Sequence, residues 1–210
     1  MFVIFNRVTN EARVPHESRS TTPQRITGNS WLVVFAMFCI MCSAQNLFVT
    51  FGAWLEEEFQ FGAARLAVAG FSLGLVELVA SVSSSRQTDK WGKERSIALG
   101  ALLVIPGGIF LCLGSNNLII GLIGVFIYFL GFEFSVVSLL SLATSLVPNS
   151  PGTGLGWVLG AGTLGRAVMA IIATHLFESF GVQGPALMGA LFGLIGALTI
   201  TGYRRVNAKN

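Results

Sequence analysis

Six apolar stretches, each about as long as a lipid bilayer is thick, leave this chain few ways to fold. They run over residues 31–53, 65–86, 95–114, 117–147, 153–177 and 184–203. A helix rises 1.5 Å per residue, so about 20 residues cross a hydrocarbon core of roughly 30 Å. The fourth stretch is the longest and is expected to tilt or to run past the bilayer. None of the six alternates apolar with polar residues at period two, as the strands of a membrane barrel would. Only 11% of the residues are charged, against about 25% in a soluble domain. Too few polar groups remain to cover a water-facing surface, so the apolar surface must meet lipid. An all-α integral membrane protein of six transmembrane helices is expected, with 25 glycines allowing close helix approach.

The net charge of +3 and pI near 9.0 are a topology signal, because the charges flank the spans instead of lining a nucleic-acid groove. One side of the expected bundle carries Arg7, Arg13, Arg19, Arg25, Arg86, Lys90, Lys93, Arg95, Arg204, Arg205 and Lys209. The other carries Arg65 alone, with Glu56, Glu57, Glu58 and Glu178. Eleven basic residues against one place both termini in the cytoplasm. The expected organisation is a polar tail or linker over 1–30, a transmembrane bundle over 31–203 and a C-terminal tail over 204–210. Met1–Phe5 is too short for a signal-peptide core of roughly 7–15 apolar residues. Cys39, Cys42 and Cys112 lie in apolar runs and read as small buried hydrophobes. No metal cluster, phosphate loop or nucleophile–base pair emerges, so neither an enzyme nor a cofactor is expected.

An ungapped repeat appears at an offset of 89 residues. Asp89-Lys90-Trp91-Gly92 aligns with Glu178-Ser179-Phe180-Gly181, Gly100 with Gly189, Gly107 with Gly196, and Glu77 with Arg166. Three spans per copy is odd, so the copies must lie in opposite orientation, as inverted repeats do in transporters.

Three ionisable residues fall deep inside spans: Glu77, Glu133 and Arg166. At 1.5 Å per residue, Glu133 and Arg166 each lie about 21–22 Å from their cytoplasmic ends. A charge at the bilayer centre costs roughly 2.5–3.5 kcal/mol, so it persists by pairing or by lining a wet cavity. One reading is a Glu133–Arg166 ion pair that only holds helices together. The other is a substrate or proton site; the two coexist if the pair opens. Separation would then favour proton uptake by Glu133, and reunion with the guanidinium would favour release. Glu77 reads either as part of that site or as a packing group bonded to Ser81. Gln45 and Asn46, mid-span in the first helix, can bond a polar substrate or a neighbouring helix. His175 reads as an interfacial structural residue, and Glu56–Glu58 as a solvated outer loop.

The segment Ser85-x-x-x-Asp89-Lys90-x-Gly92-Lys93-x-Arg95 resembles the cytoplasmic loop motif of the major facilitator superfamily, G-x-x-x-D-[RK]-x-G-[RK]-[RK]. Ser85 replaces the first glycine and Glu94 interrupts the basic pair. That degenerate form is similar to the weaker copy between the eighth and ninth helices. Gly131-Phe132-Glu133-Phe134 and Gly165-Arg166 resemble the tenth and eleventh helices of bacterial efflux-type members. The resemblance implies the C-terminal six-helix half of a secondary transporter, a 3+3 inverted repeat. Its first and fourth helices would line the cavity, its second and fifth would face the other half, and its third and sixth would support from outside. It implies proton-coupled efflux, as by an antiporter, of a small organic molecule across the inner (cell) membrane. Asp89, Lys90, Gly92, Lys93 and Arg95 would form a cytoplasmic gate, with Asp89 near a helix N-terminus. The implied partner is the N-terminal half or a second copy of the chain. A non-transporting scaffold and a homodimeric half-size carrier are the alternatives.

Overall fold

The computed structural model describes residue 26 and residues 28–208. Most of the expected N-terminal tail, and the last two residues, lie outside these; Ile26 is packed into the core. Six helices follow: α1 (Ser30–Phe59), α2 (Ala63–Trp91), α3 (Lys93–Leu113), α4 (Leu118–Ala143), α5 (Pro151–Phe180) and α6 (Gln183–Asn207). All six are long and apolar enough to cross a membrane.

The helix bounds correct four expectations. The expected charged loop at 85–95 is helix almost throughout. α2 runs to Trp91, α3 starts at Lys93, and Gly92 alone joins them at φ +88. That φ lies where a Cβ is strained, which explains glycine there. The acidic run Glu56–Glu58 is not a loop but the exposed last turns of α1, which closes on Gln60 in the left-handed region at φ 53. Helices continue into the aqueous layer because backbone hydrogen bonding does not stop where hydrophobicity does. α4 is shorter than its apolar run. Thr144 and Ser145 turn their hydroxyls back onto the carbonyls of Ser141 and Leu142, and Pro148 follows. α1 and α5, at 30 residues each, are the longest. The expected tail at 204–210 is largely the end of α6, which is helical through Asn207.

The packing obeys the repeat. Shifting α2 by 89 residues gives 152–180, which is α5 to within one residue at its start. The helix pairings also come in matched sets, α3 on α4 with α6 on α1 and α5 on α1 with α2 on α4, while the extensive contact of α3 with α6 maps onto itself. The swap α1↔α4, α2↔α5, α3↔α6 therefore maps the bundle onto itself. Gly100 and Gly189 occupy equivalent close approaches. A Cβ at Gly100 would lie 2.7 Å from the Gly131 carbonyl oxygen, and one at Gly189 would collide with the Tyr128 hydroxyl. A fully buried knot ties three helices beside Gly189. Tyr128 donates to the Ser43 carbonyl at 2.8 Å, and Ser43 donates to the Gly189 carbonyl at 2.8 Å. Cys39 and Cys42 are buried, as expected of small hydrophobes.

Burial separates the helices by role. In the most apolar window, α1 is 61% and α4 50% buried, whereas α2 is 11% and α5 22% buried. α2 and α5 flank the bundle and present faces that nothing within it covers. A groove of about 580 Å³ lies where α5 meets the start of α1, lined by Trp31, Thr153, Gly156, Trp157, Gly160 and Leu164. Its counterpart at the opposite end, about 410 Å³, is lined by Phe61, Ala64, Val68, Ala69 and Ser72 of the α2 side and by Phe126 of α4. Thr153, Trp157 and Ala161 of the first are the repeat equivalents of Ala64, Val68 and Ser72 of the second.

Candidate functional site

Four helices bring polar groups together at mid-depth. α4 places Glu133 opposite Ser81 of α2, whose hydroxyl donates to the carboxylate at 2.5 Å. Glu77, one turn away from Ser81 on α2, lies within the electrostatic reach of both Glu133 and Arg166. Its Oε1 is buried without a hydrogen-bond partner among the described residues. α5 sends Arg166 across to α1, where Nε donates to Gln45 Oε1 at 2.9 Å. The guanidinium carbon sits 5.3 Å from the centre of the Phe48 ring, within cation–π range. Phe48 is in turn held edge-on by Phe129 and Phe132, with ring centres at 4.6 and 5.9 Å.

This arrangement changes two expectations. Glu133 and Arg166 do not form an ion pair: the salt bridge within 4 Å among the described residues is His175–Glu178, at 3.4 Å on the exposed end of α5. Ser81 serves Glu133, not Glu77. The cause is one of reach, since Arg166 leans toward α1 and Glu133 toward α2. Gln45 joins the site, but its neighbour Asn46 does not. Asn46 is fully buried and its amide donates back to the Cys42 carbonyl at 2.8 Å. Consecutive helix residues point about 100° apart, so one of the pair faces the cavity and the other the core.

A polar seam continues from Glu133 along the α2–α4 contact. Ser84 and Ser138 hydroxyls lie 2.9 Å apart, Thr88 and Ser138 2.8 Å apart, and Lys93 Nζ donates to the Ser141 carbonyl at 2.9 Å. The seam was not singled out from sequence. Its signal is there in Ser81, Ser84 and Thr88 on α2 and in Ser135, Ser138 and Ser141 on α4, each at three- or four-residue spacing.

Among the expected gate residues, Lys93 is anchored to α4 and Gly92 makes the joint. Asp89, Lys90 and Arg95 are exposed. Asp89 stands in the last turn of α2, while Glu94 occupies the first turn of α3. The helix N-terminus expected for Asp89 is therefore taken by Glu94, because α2 continues two residues past Asp89.

Residues 33–210 match the Major Facilitator Superfamily. The chain belongs to that superfamily. It is also 25% identical over 149 residues, 70% of its own length, to a Bacillus subtilis (strain 168) protein described as an uncharacterized MFS-type transporter, YceJ. The chain covers 38% of that relative's length. Membership in this superfamily and six apolar helices make it a multi-pass membrane protein.

Proposed function

We propose that the chain is the C-terminal half of a secondary transporter that moves a small organic molecule by alternating access, coupled to protons and in the direction of export. The observation that carries this reading is the mid-depth cluster of Glu77, Glu133 and Arg166. Charges at that depth, with a carboxylate oxygen left unpartnered and no ion pair within the cluster among the described residues, suit a site that is completed by other groups. The coverage of the YceJ relative supports the half-transporter reading, as do the uncovered faces of α2 and α5 and their two grooves. The N-terminal half would occupy those faces. The positive-inside bias supports a cell-membrane protein with both termini cytoplasmic. Asp89, Lys90 and Arg95 would then meet the other half as a cytoplasmic gate, with Gly92 and Lys93 fixing the elbow that presents them.

Glu133 is assigned the coupling proton, held ready by Ser81. The test is proton-driven flux in proteoliposomes carrying the complete two-half protein, with and without Glu133→Gln. Loss of proton-driven accumulation, with passive exchange retained, is expected. Unchanged coupling would remove Glu133 from this role. A six-helix scaffold would instead give a folded protein with no substrate-dependent flux, with or without an added N-terminal half.

A further inference from the structure

From the geometry around Arg166 we infer that the transported molecule is a monocarboxylate with a flat apolar body, its carboxylate held by Arg166 and its body against Phe48. The inference rests on the transport reading above and deepens it.

Two carboxylates stand in the same cluster as Arg166, yet neither is within 4 Å of it among the described residues. A purely structural arginine at this depth would close onto one of them, because its charge is otherwise costly there. Instead Arg166 is oriented by neutral groups. Gln45 Oε1 accepts from Nε, and the Phe48 ring lies beside the guanidinium. Among the described residues both contacts leave the two terminal NH₂ groups without a hydrogen-bond partner, and those are the donors of a fork that matches a carboxylate. Arg166 is exposed rather than walled in. Phe48 is 36% exposed, whereas Phe129 behind it is fully buried and Phe132 nearly so. One aromatic surface therefore stands next to the fork on a rigid backing.

The fork does not aim into the groove between α1 and α5. On α5, Arg166 lies roughly 150° around the axis from the centre of the groove formed by Trp157, Gly160 and Leu164, at 3.6 residues per turn. It is turned toward α1, where Gln45 and Phe48 hold it. The ionisable groups around the cluster are Glu77 on α2, Glu133 on α4 and the Cys42 thiol on α1, which donates to the carbonyl of Gly165, the residue before Arg166. At this depth α6 supplies none. Protonation of Glu77 removes a negative charge from the field around Arg166 and favours an anion. Binding should therefore strengthen as pH falls.

The test is equilibrium binding of radiolabelled benzoate and, separately, tetraphenylphosphonium to the complete purified protein, across pH 5.5 to 8.5, with flux measured in parallel. Benzoate binding that weakens at least tenfold in Arg166→Gln, and is partly restored by Arg166→Lys, is expected. Glu77→Gln/Glu133→Gln should tighten benzoate binding at high pH and flatten its pH dependence. A monodisperse elution profile for each variant excludes misfolding as the cause. Benzoate binding indifferent to Arg166 would overturn the inference, as would tetraphenylphosphonium binding that needs the two glutamates. So would an Arg166 that cross-links, as a cysteine, to an acidic position of the N-terminal half at the same depth. Arg166-dependent binding without flux would keep the anion site and sink the transport reading. Flux of tetraphenylphosphonium without carboxylate binding would do the reverse.

Discussion

Glu77 and Arg166 hold equivalent places, mid-way along α2 and α5 and 89 residues apart, and they carry opposite charge. Around them the two repeats agree. Gly92 and Gly181 both end their helix at positive φ, +88 and +59. Gly100 and Gly189 both admit a crossing helix, and the same helix pairings recur. The difference lies in what stands on that shared frame. The first repeat carries the basic elbow at Lys90, Lys93 and Arg95, and the second has Ser179, Val182 and Gly184 at those positions. Glycine placement thus specifies how three helices pack, and it is retained in both copies. Charge placement specifies sidedness and chemistry, and it has diverged.

Four sets of substitutions break or sharpen this comparison. The largest effect is expected from Arg166→Glu, which gives both repeats a carboxylate and puts three acidic groups in one mid-depth cluster. Losing the compensating charge should cost on the order of 2.5–3.5 kcal/mol, read as a large fall in membrane-inserted protein and a loss of flux. Normal levels and flux would show that the difference between the repeats carries no function. Next come the close approaches. Gly100→Val and Gly189→Val should each destabilise by about 1–3 kcal/mol through overpacking, measured by unfolding in mixed micelles. Gly70→Val and Gly156→Val, with open space beside them, should be near neutral. Equal effects at all four would dissolve the link between glycine and packing.

Gly92→Ala and Gly181→Ala rank third. Each forces a Cβ onto a backbone conformation that costs of order 1–3 kcal/mol, and the two losses should be similar if the joints are equivalent. Thermal denaturation of the single variants decides it. Smallest is His175→Ala, which removes an exposed i,i+3 contact of a kind worth about 0–1 kcal/mol. A melting temperature indistinguishable from the parent is expected, and a clear shift would give the second repeat a stabilising feature the first lacks.

The helices were legible because twenty apolar residues admit few other structures. Their ends were less so. Hydropathy ends with the hydrocarbon, whereas α1 carries Glu56–Glu58 and α2 carries Asp89 and Lys90 on the same unbroken ladder of backbone bonds. The repeat was legible from glycines and one acidic–aromatic–glycine echo. Glu77, Glu133 and Arg166 were legible as costly charges, but their partners were not. Ser81 reaches Glu133 across 52 positions and Gln45 reaches Arg166 across 121. Only the packing of α1 on α5 and of α2 on α4 decides that Gln45 faces the site while Asn46 faces the core.

The groove between α1 and α5 has an optical consequence. Trp31 and Trp157 stand there edge to face, ring centres 5.2 Å apart at 70°. Two indoles that close share their excited state, so a slight parting of α1 from α5 alters the emission and circular dichroism of the pair. The remaining tryptophans, Trp54 bonded to the Ser115 carbonyl and Trp91 beside Phe134, belong to other contacts. With both changed to phenylalanine, the protein would report the separation of these two helices by its own light.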